Sequence, residues 1–122
     1  MADWKGRNHY QRLMFALAGM RHAWRNERSL RLQTLALAGV IAVLAWLRPP
    51  AIWWALAALA CALVLAAELA NTAIEALVDH LHPDVHPAIR VVKDCAAAAV
   101  LVASLGALAV AAAFAAWWWA AR

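Results

Sequence analysis

The run AIWWALAALACALVLAA (Ala51–Ala67) carries no charge and passes without a break into ELANTAIEALVD (Glu68–Asp79), where acids and an amide recur. The first part is too long for a core strand, and a bilayer core needs about 20 apolar helical residues. In the second part, at about 100° per residue, Glu68, Glu75 and Asp79 fall within a narrow sector with Asn71 beside them. A single helix therefore spans the hydrocarbon and, as it leaves, gains one polar face, an acid-amide-acid-acid ladder. At a rise of ~1.5 Å per residue from Ala51, Glu68 lies about 25 Å down, at the inner edge of a hydrocarbon core of ~30 Å.

Outward from this helix the pattern repeats. Leu32–Leu47 and Cys95–Ala121 are also free of charge, so the expected fold is all-α and integral to a membrane, with spans at 32–48, 51–80 and 88–121. Arg48-Pro49-Pro50 leaves only a tight turn between the first two. Upstream, Leu13, Leu17, Met20 and Trp24 share a helical face with arginines around the rest, which predicts an amphipathic surface helix over 8–31. The composition agrees, since 67% hydrophobic and 15% charged residues in a chain of 122 exclude an ordinary soluble domain. A mean hydropathy of +0.66 excludes disorder. Cys61 and Cys95 lack any metal-ligand or CxxC spacing and read as buried free thiols. No cleavable signal peptide is expected at the N-terminus.

Basic residues set the expected orientation. Lys5, Arg7, Arg12, Arg21, Arg25, Arg28 and Arg31 precede the first span, and Arg90 and Lys93 lie between the second and third, which places both regions in the cytoplasm and the C-terminus outside. Trp46, Trp53, Trp54, Trp117, Trp118 and Trp119, six of the eight tryptophans, then mark the outer interface. The formal net charge of +4 fits this topology and contact with anionic lipid, and no nucleic-acid partner is expected.

Ionisable residues at such depth are costly and mark function. The alternative for Glu68 is a carboxylate that only fixes helix packing. Hard oxygen ligands in an incomplete set suit Mg²⁺, which binds one or two carboxylates together with substrate phosphates, and so point to phosphoryl transfer. No GxxxxGK[ST] or GxGxxG loop is present, so a nucleotide would be held by side chains and metal. A small oligomeric transporter would also bury a glutamate, but it predicts polar groups across the whole membrane, whereas the outer halves of these spans are Ala, Leu, Val and Trp.

The ladder, the following His86 and Val-Val-Lys93-Asp94-Cys-Ala-Ala-Ala-Ala-Val, and the preceding Ala23-Trp24-Arg25-Asn26-Glu27 together resemble the small prokaryotic diacylglycerol kinase and undecaprenol kinase family. The resemblance covers almost the whole chain. It implies one membrane-embedded lipid kinase domain over 1–122, a homotrimer with sites shared between subunits, and location in the bacterial inner membrane. The implied reaction moves the γ-phosphate of Mg-ATP to the primary hydroxyl of diacylglycerol, giving phosphatidic acid, with undecaprenol as the alternative acceptor. It implies Glu68 as general base toward the lipid hydroxyl, and Glu27 and Glu75 as Mg²⁺ ligands. Asn71, Lys93 and Asp94 would position phosphates, with Asp79 and His86 bordering the nucleotide. Arg25 and Arg31 join Glu68 in holding the lipid. The chain departs from some members at Gln33, which stands where they carry an acid, and at Phe15 and Ala97, where they carry a hydroxyl.

Overall fold

A computed structural model describes residues 8–122, which form four helices: α1 (His9–Asn26), α2 (Arg28–Leu47), α3 (Ala51–Leu81) and α4 (Pro87–Ala120). Lys5 and Arg7, counted among the orienting charges, lie outside the described residues. Each boundary has a local cause. Asn8 opens α1 through a capping box: its side-chain oxygen accepts from the Gln11 amide at 2.9 Å, and the Gln11 side chain accepts from the Asn8 amide at 3.3 Å. Where the sequence predicts a surface helix running to residue 31, the backbone instead breaks at Glu27 (φ −104, ψ 116), and Arg28 already begins α2. The reason lies in Arg31, whose Nη1 donates to the carbonyls of Trp24 at 3.2 Å and Arg25 at 2.9 Å. Those are orphan acceptors of the last turn of α1, and satisfying them from one turn inside α2 ties the two helices at an angle.

The second boundary is written in Arg48-Pro49-Pro50. A residue before proline is barred from the right-handed helical region, and Arg48 ends α2 in the left-handed region (φ 49, ψ 53). Pro50 then caps α3. At the far end His86, with Pro87 at the first helical position, caps α4 by accepting from the Ala88 amide on Nδ1 at 3.2 Å.

α2, α3 and α4 are each long and apolar enough to cross a membrane. At ~1.5 Å per residue α3 and α4 reach roughly 46 and 51 Å, longer than a hydrocarbon core of ~30 Å, so both extend well beyond it. They pair along their lengths as an antiparallel hairpin, α2 packs on α3, and α1 turns back from the α1–α2 corner against the late turns of α3. The α1 contact is made by small side chains, with Ala23 only 2% exposed beside a cleft lined by Gly19, Leu69, Thr72 and Ala73.

The core of one protomer is slight: Ala23, Leu30, Leu44, Ala60, Val64, Val78 and Ala96, with one charged residue among them, Glu68. Leu13, Leu17, Met20 and Trp24 on α1 and Leu101, Val102, Leu105 and Leu108 on α4 are all exposed. Cys95, expected to be buried, is also exposed in the protomer, while Cys61 is half-buried; both are free thiols. An apolar surface of that extent belongs in lipid or against another subunit. Trp53, Phe114, Trp117 and Trp118 cluster where the start of α3 meets the end of α4, with ring centroids 5.3 to 6.3 Å apart. The tryptophans of α3 and α4 thus gather at one end of the bundle and the acidic ladder occupies the other.

Candidate active site at the polar end of α3

Glu68 is the centre of the polar end. Its side chain is 5% exposed, and each carboxylate oxygen is taken by a donor from α2: Gln33 Nε2 donates to Oε1 at 2.7 Å, and Ser29 Oγ donates to Oε2 at 3.1 Å. Ser29 and Gln33 stand four apart on α2 and so share a face. The break at Glu27 allows this contact by placing Ser29 and Gln33 on one helix, α2, which packs on α3. Thr72 anchors the same turn of α3 by donating from Oγ1 to the Glu68 carbonyl at 3.0 Å. A buried carboxylate held at both oxygens is fixed in direction, a condition for accepting a proton from a bound group.

Farther along the ladder the environment opens. Asn71 is half-buried, yet its Oδ1 is fully covered and has no hydrogen-bond partner. Glu75 is half-buried and makes no hydrogen bond or ion pair with the described residues. Asp79, one turn on, accepts from Lys93 Nζ of α4 at 2.5 Å, and on the next exposed stretch Arg90 pairs with Asp94 at 3.8 Å. The α3–α4 hairpin therefore brings Asp79 and Lys93 together, while Asp94 faces its own helix neighbour.

The remaining expected residues lie around this end. Glu27, half-buried, sits at the α1–α2 break with its side chain free of any capping bond. Arg25 is exposed in the last turn of α1, and Arg31 is engaged by the α1 carbonyls. His86 serves as the cap of α4. Among the described residues no three His, Cys, Asp or Glu side chains converge as a metal cage within one protomer. Sequence reasoning missed Ser29 and met Gln33 only as a departure at a position where some similar proteins carry an acid. Their signal was available as two polar side chains at helical spacing just where a span becomes apolar, but only the packing of α2 on α3 says what they touch.

The chain matches the model of the prokaryotic diacylglycerol kinase family over residues 14–115. It belongs to that family. Among curated relatives it is similar to a diacylglycerol kinase of Synechocystis sp., 38% identical over 95 residues that make up 77% of this chain and 54% of the relative. It is 35% identical to the diacylglycerol kinase of Escherichia coli over 89 residues, 73% of each chain. A diacylglycerol kinase of Helicobacter pylori is 30% identical over 93 residues, 76% of this chain and 73% of the relative. The chain thus spans about half the length of the Synechocystis relative it matches and nearly three quarters of the other two. The matched region of this diacylglycerol kinase family member includes every ladder residue, Glu27, and the Lys93-Asp94 pair.

Proposed function

We propose that this chain is an ATP-dependent lipid kinase of the bacterial inner membrane, with its N-terminus in the cytoplasm, that phosphorylates the primary hydroxyl of diacylglycerol to give phosphatidic acid. The observation that carries the proposal is Glu68, a carboxylate buried at the inner end of an apolar span with both oxygens held by α2. Such a group meets a lipid hydroxyl at headgroup depth, and the ladder beyond it leads into water, where a nucleotide is available. In the reaction the lipid oxygen forms a bond to the γ-phosphorus, the bond from that phosphorus to the bridging oxygen breaks, ADP leaves, and the hydroxyl proton passes to Glu68.

The residues fit Mg²⁺. Glu27 and Glu75 are carboxylates without hydrogen-bond partners among the described residues, and Asn71 Oδ1 is a covered oxygen in want of one. A Mg²⁺ ion that takes two carboxylates and completes its shell with water and phosphate oxygens needs no three-ligand cage. When bound, it offsets charge on the transferring phosphates. Lys93 and Asp94, with Asn71, position the phosphates; Asp79 and His86 border the nucleotide; Arg25 and Arg31 stand at headgroup level beside the lipid. Undecaprenol remains the alternative acceptor, since it too presents a primary hydroxyl. A transporter is disfavoured by the apolar outer halves of all three spans.

The test is turnover of labelled ATP with each lipid in mixed micelles, for the wild type and for Glu68→Gln. Phosphatidic acid is the expected product, and the variant should lose about 10² to 10⁴ in kcat while still binding nucleotide. A correctly assembled Glu68→Gln protein with near-normal kcat would remove Glu68 from the chemistry.

A further inference from the structure

Gln33 stands on α2 at the depth where the helix turns apolar, half-buried, with Leu32 and Leu35 near it in sequence. Its amide reaches Glu68 Oε1 at 2.7 Å, the shorter of the two bonds that the carboxylate accepts. An ionised carboxylate only accepts, so the nitrogen end of the amide must face it, and the side chain is thereby oriented by chemistry. At 5% exposure Glu68 has almost no access to the water that would otherwise solvate its charge.

We propose that Gln33 is a positioning residue for Glu68: it supplies the donor that a buried carboxylate would lack, and thereby holds Oε1 ready to take a proton. The proposal rests on the reading of Glu68 as the base. Other charged or titratable groups belong to the elements packed around this turn: His22 on α1, Arg28 and Arg31 on α2, Cys61 and Glu75 on α3, and Lys93 on α4. None of them forms a hydrogen bond or ion pair with Glu68. His22 is engaged with Asn26, Arg31 with α1 carbonyls and Lys93 with Asp79. Ser29 is the sole other donor to the carboxylate among the described residues.

Two readouts separate this role from simple packing, because the donor acts on the reacting carboxylate and bulk does not. Gln33→Leu keeps bulk but removes the donor, so kcat should fall about tenfold or more while the KM for lipid and the thermal unfolding of the protein change little, the scale set by a hydrogen bond to a charged group. Gln33→Met, closer in length, replaces Gln33→Leu if that protein does not assemble.

A kcat that falls only in step with thermal stability, or a KM that rises in place of a fall in kcat, would overturn the proposal and leave Gln33 as a packing residue. Infrared difference spectra of protein carrying carbon-13 in its glutamate carboxyls supply a readout without turnover. The carboxyl band that Glu68→Gln abolishes should shift in frequency in Gln33→Leu, because one oxygen has lost its hydrogen bond. An unchanged band would also overturn the proposal. If Glu68→Gln keeps its kcat, the base assignment falls and the infrared result alone decides whether Gln33 governs that carboxyl.

Discussion

Lys93 and Asp79 face each other across the α3–α4 hairpin at 2.5 Å, and their side chains remain 37% and 64% exposed. A lysine that is to meet phosphate must leave this carboxylate, so the strength of the pair sets the cost of exchange. Exposed ion pairs contribute about 0–1 kcal/mol, because water and salt screen both charges. The exchange is therefore cheap, and Asp79→Asn should alter the KM for Mg-ATP by no more than about fivefold on that scale. Lys93→Ala, by contrast, removes the proposed charge-assisted bond to phosphate and should raise that KM by more than tenfold, on the ~1.5–3 kcal/mol scale of such bonds. Steady-state kinetics on the two purified variants checks the contrast. Equal effects would mean that Asp79 itself contacts the nucleotide as strongly as Lys93 does.

Among the elements, α1 owes its placement to what it lacks. Ala23 fits against α3 at 2% exposure, and the neighbouring Ala16, Gly19, Ala73 and Ala76 are equally small, so the two helices approach closely. Ala23→Leu inserts three carbons into that contact and should destabilise the protein by about 1–3 kcal/mol, as overpacking does. Because the displaced α1 carries Glu27 with it, activity should fall too. Thermal unfolding in micelles, read beside kcat, tests this, and an unchanged melting transition would show that α1 is free to lift from α3. The break at Glu27 belongs to the same scale: the heptad-like spacing of Leu13, Leu17, Met20 and Trp24 makes the helix legible in sequence, but its end depends on Arg31 reaching back to Trp24 and Arg25.

At the scale of the whole molecule, one protomer encloses too little. Its buried side chains are few, α2 and α4 leave an apolar groove of about 440 Å³ between Val40, Val43 and Ala111, and the Glu75 and Glu27 carboxylates make no hydrogen bond or ion pair with the described residues. Three helices with one polar face require neighbours to keep that face from lipid, and the proposed assembly is a trimer whose sites are completed between chains. Mixing Glu68→Gln with Lys93→Ala before assembly tests it. If Glu68 and Lys93 of one site come from different chains, some sites in mixed trimers regain both groups, and activity absent from each parent should reappear. No recovery in demonstrably mixed oligomers would place both groups on one chain, and a fully active monomer would refute sharing altogether.

The all-α architecture, the three spans and the ladder of Glu68, Asn71, Glu75 and Asp79 were determined by local sequence, because span length and helical periodicity depend on residues near one another along the chain. Glu27, Lys93 and Asp94 were nameable from motif alone. The sequence could not say that Arg31 closes α1, that His86 caps α4, or that Lys93 rests on Asp79. Nor could it say that Ser29 and Gln33 take both oxygens of Glu68. Those pairings join residues up to 39 positions apart. The Arg31 and His86 contacts are local, but the pairings of Glu68 with Ser29 and Gln33 and of Lys93 with Asp79 form only when α2 packs on α3 and α4 folds back along it. A side-chain hydrogen bond needs its partners within about 3 Å, a distance that only packing of the helices can set.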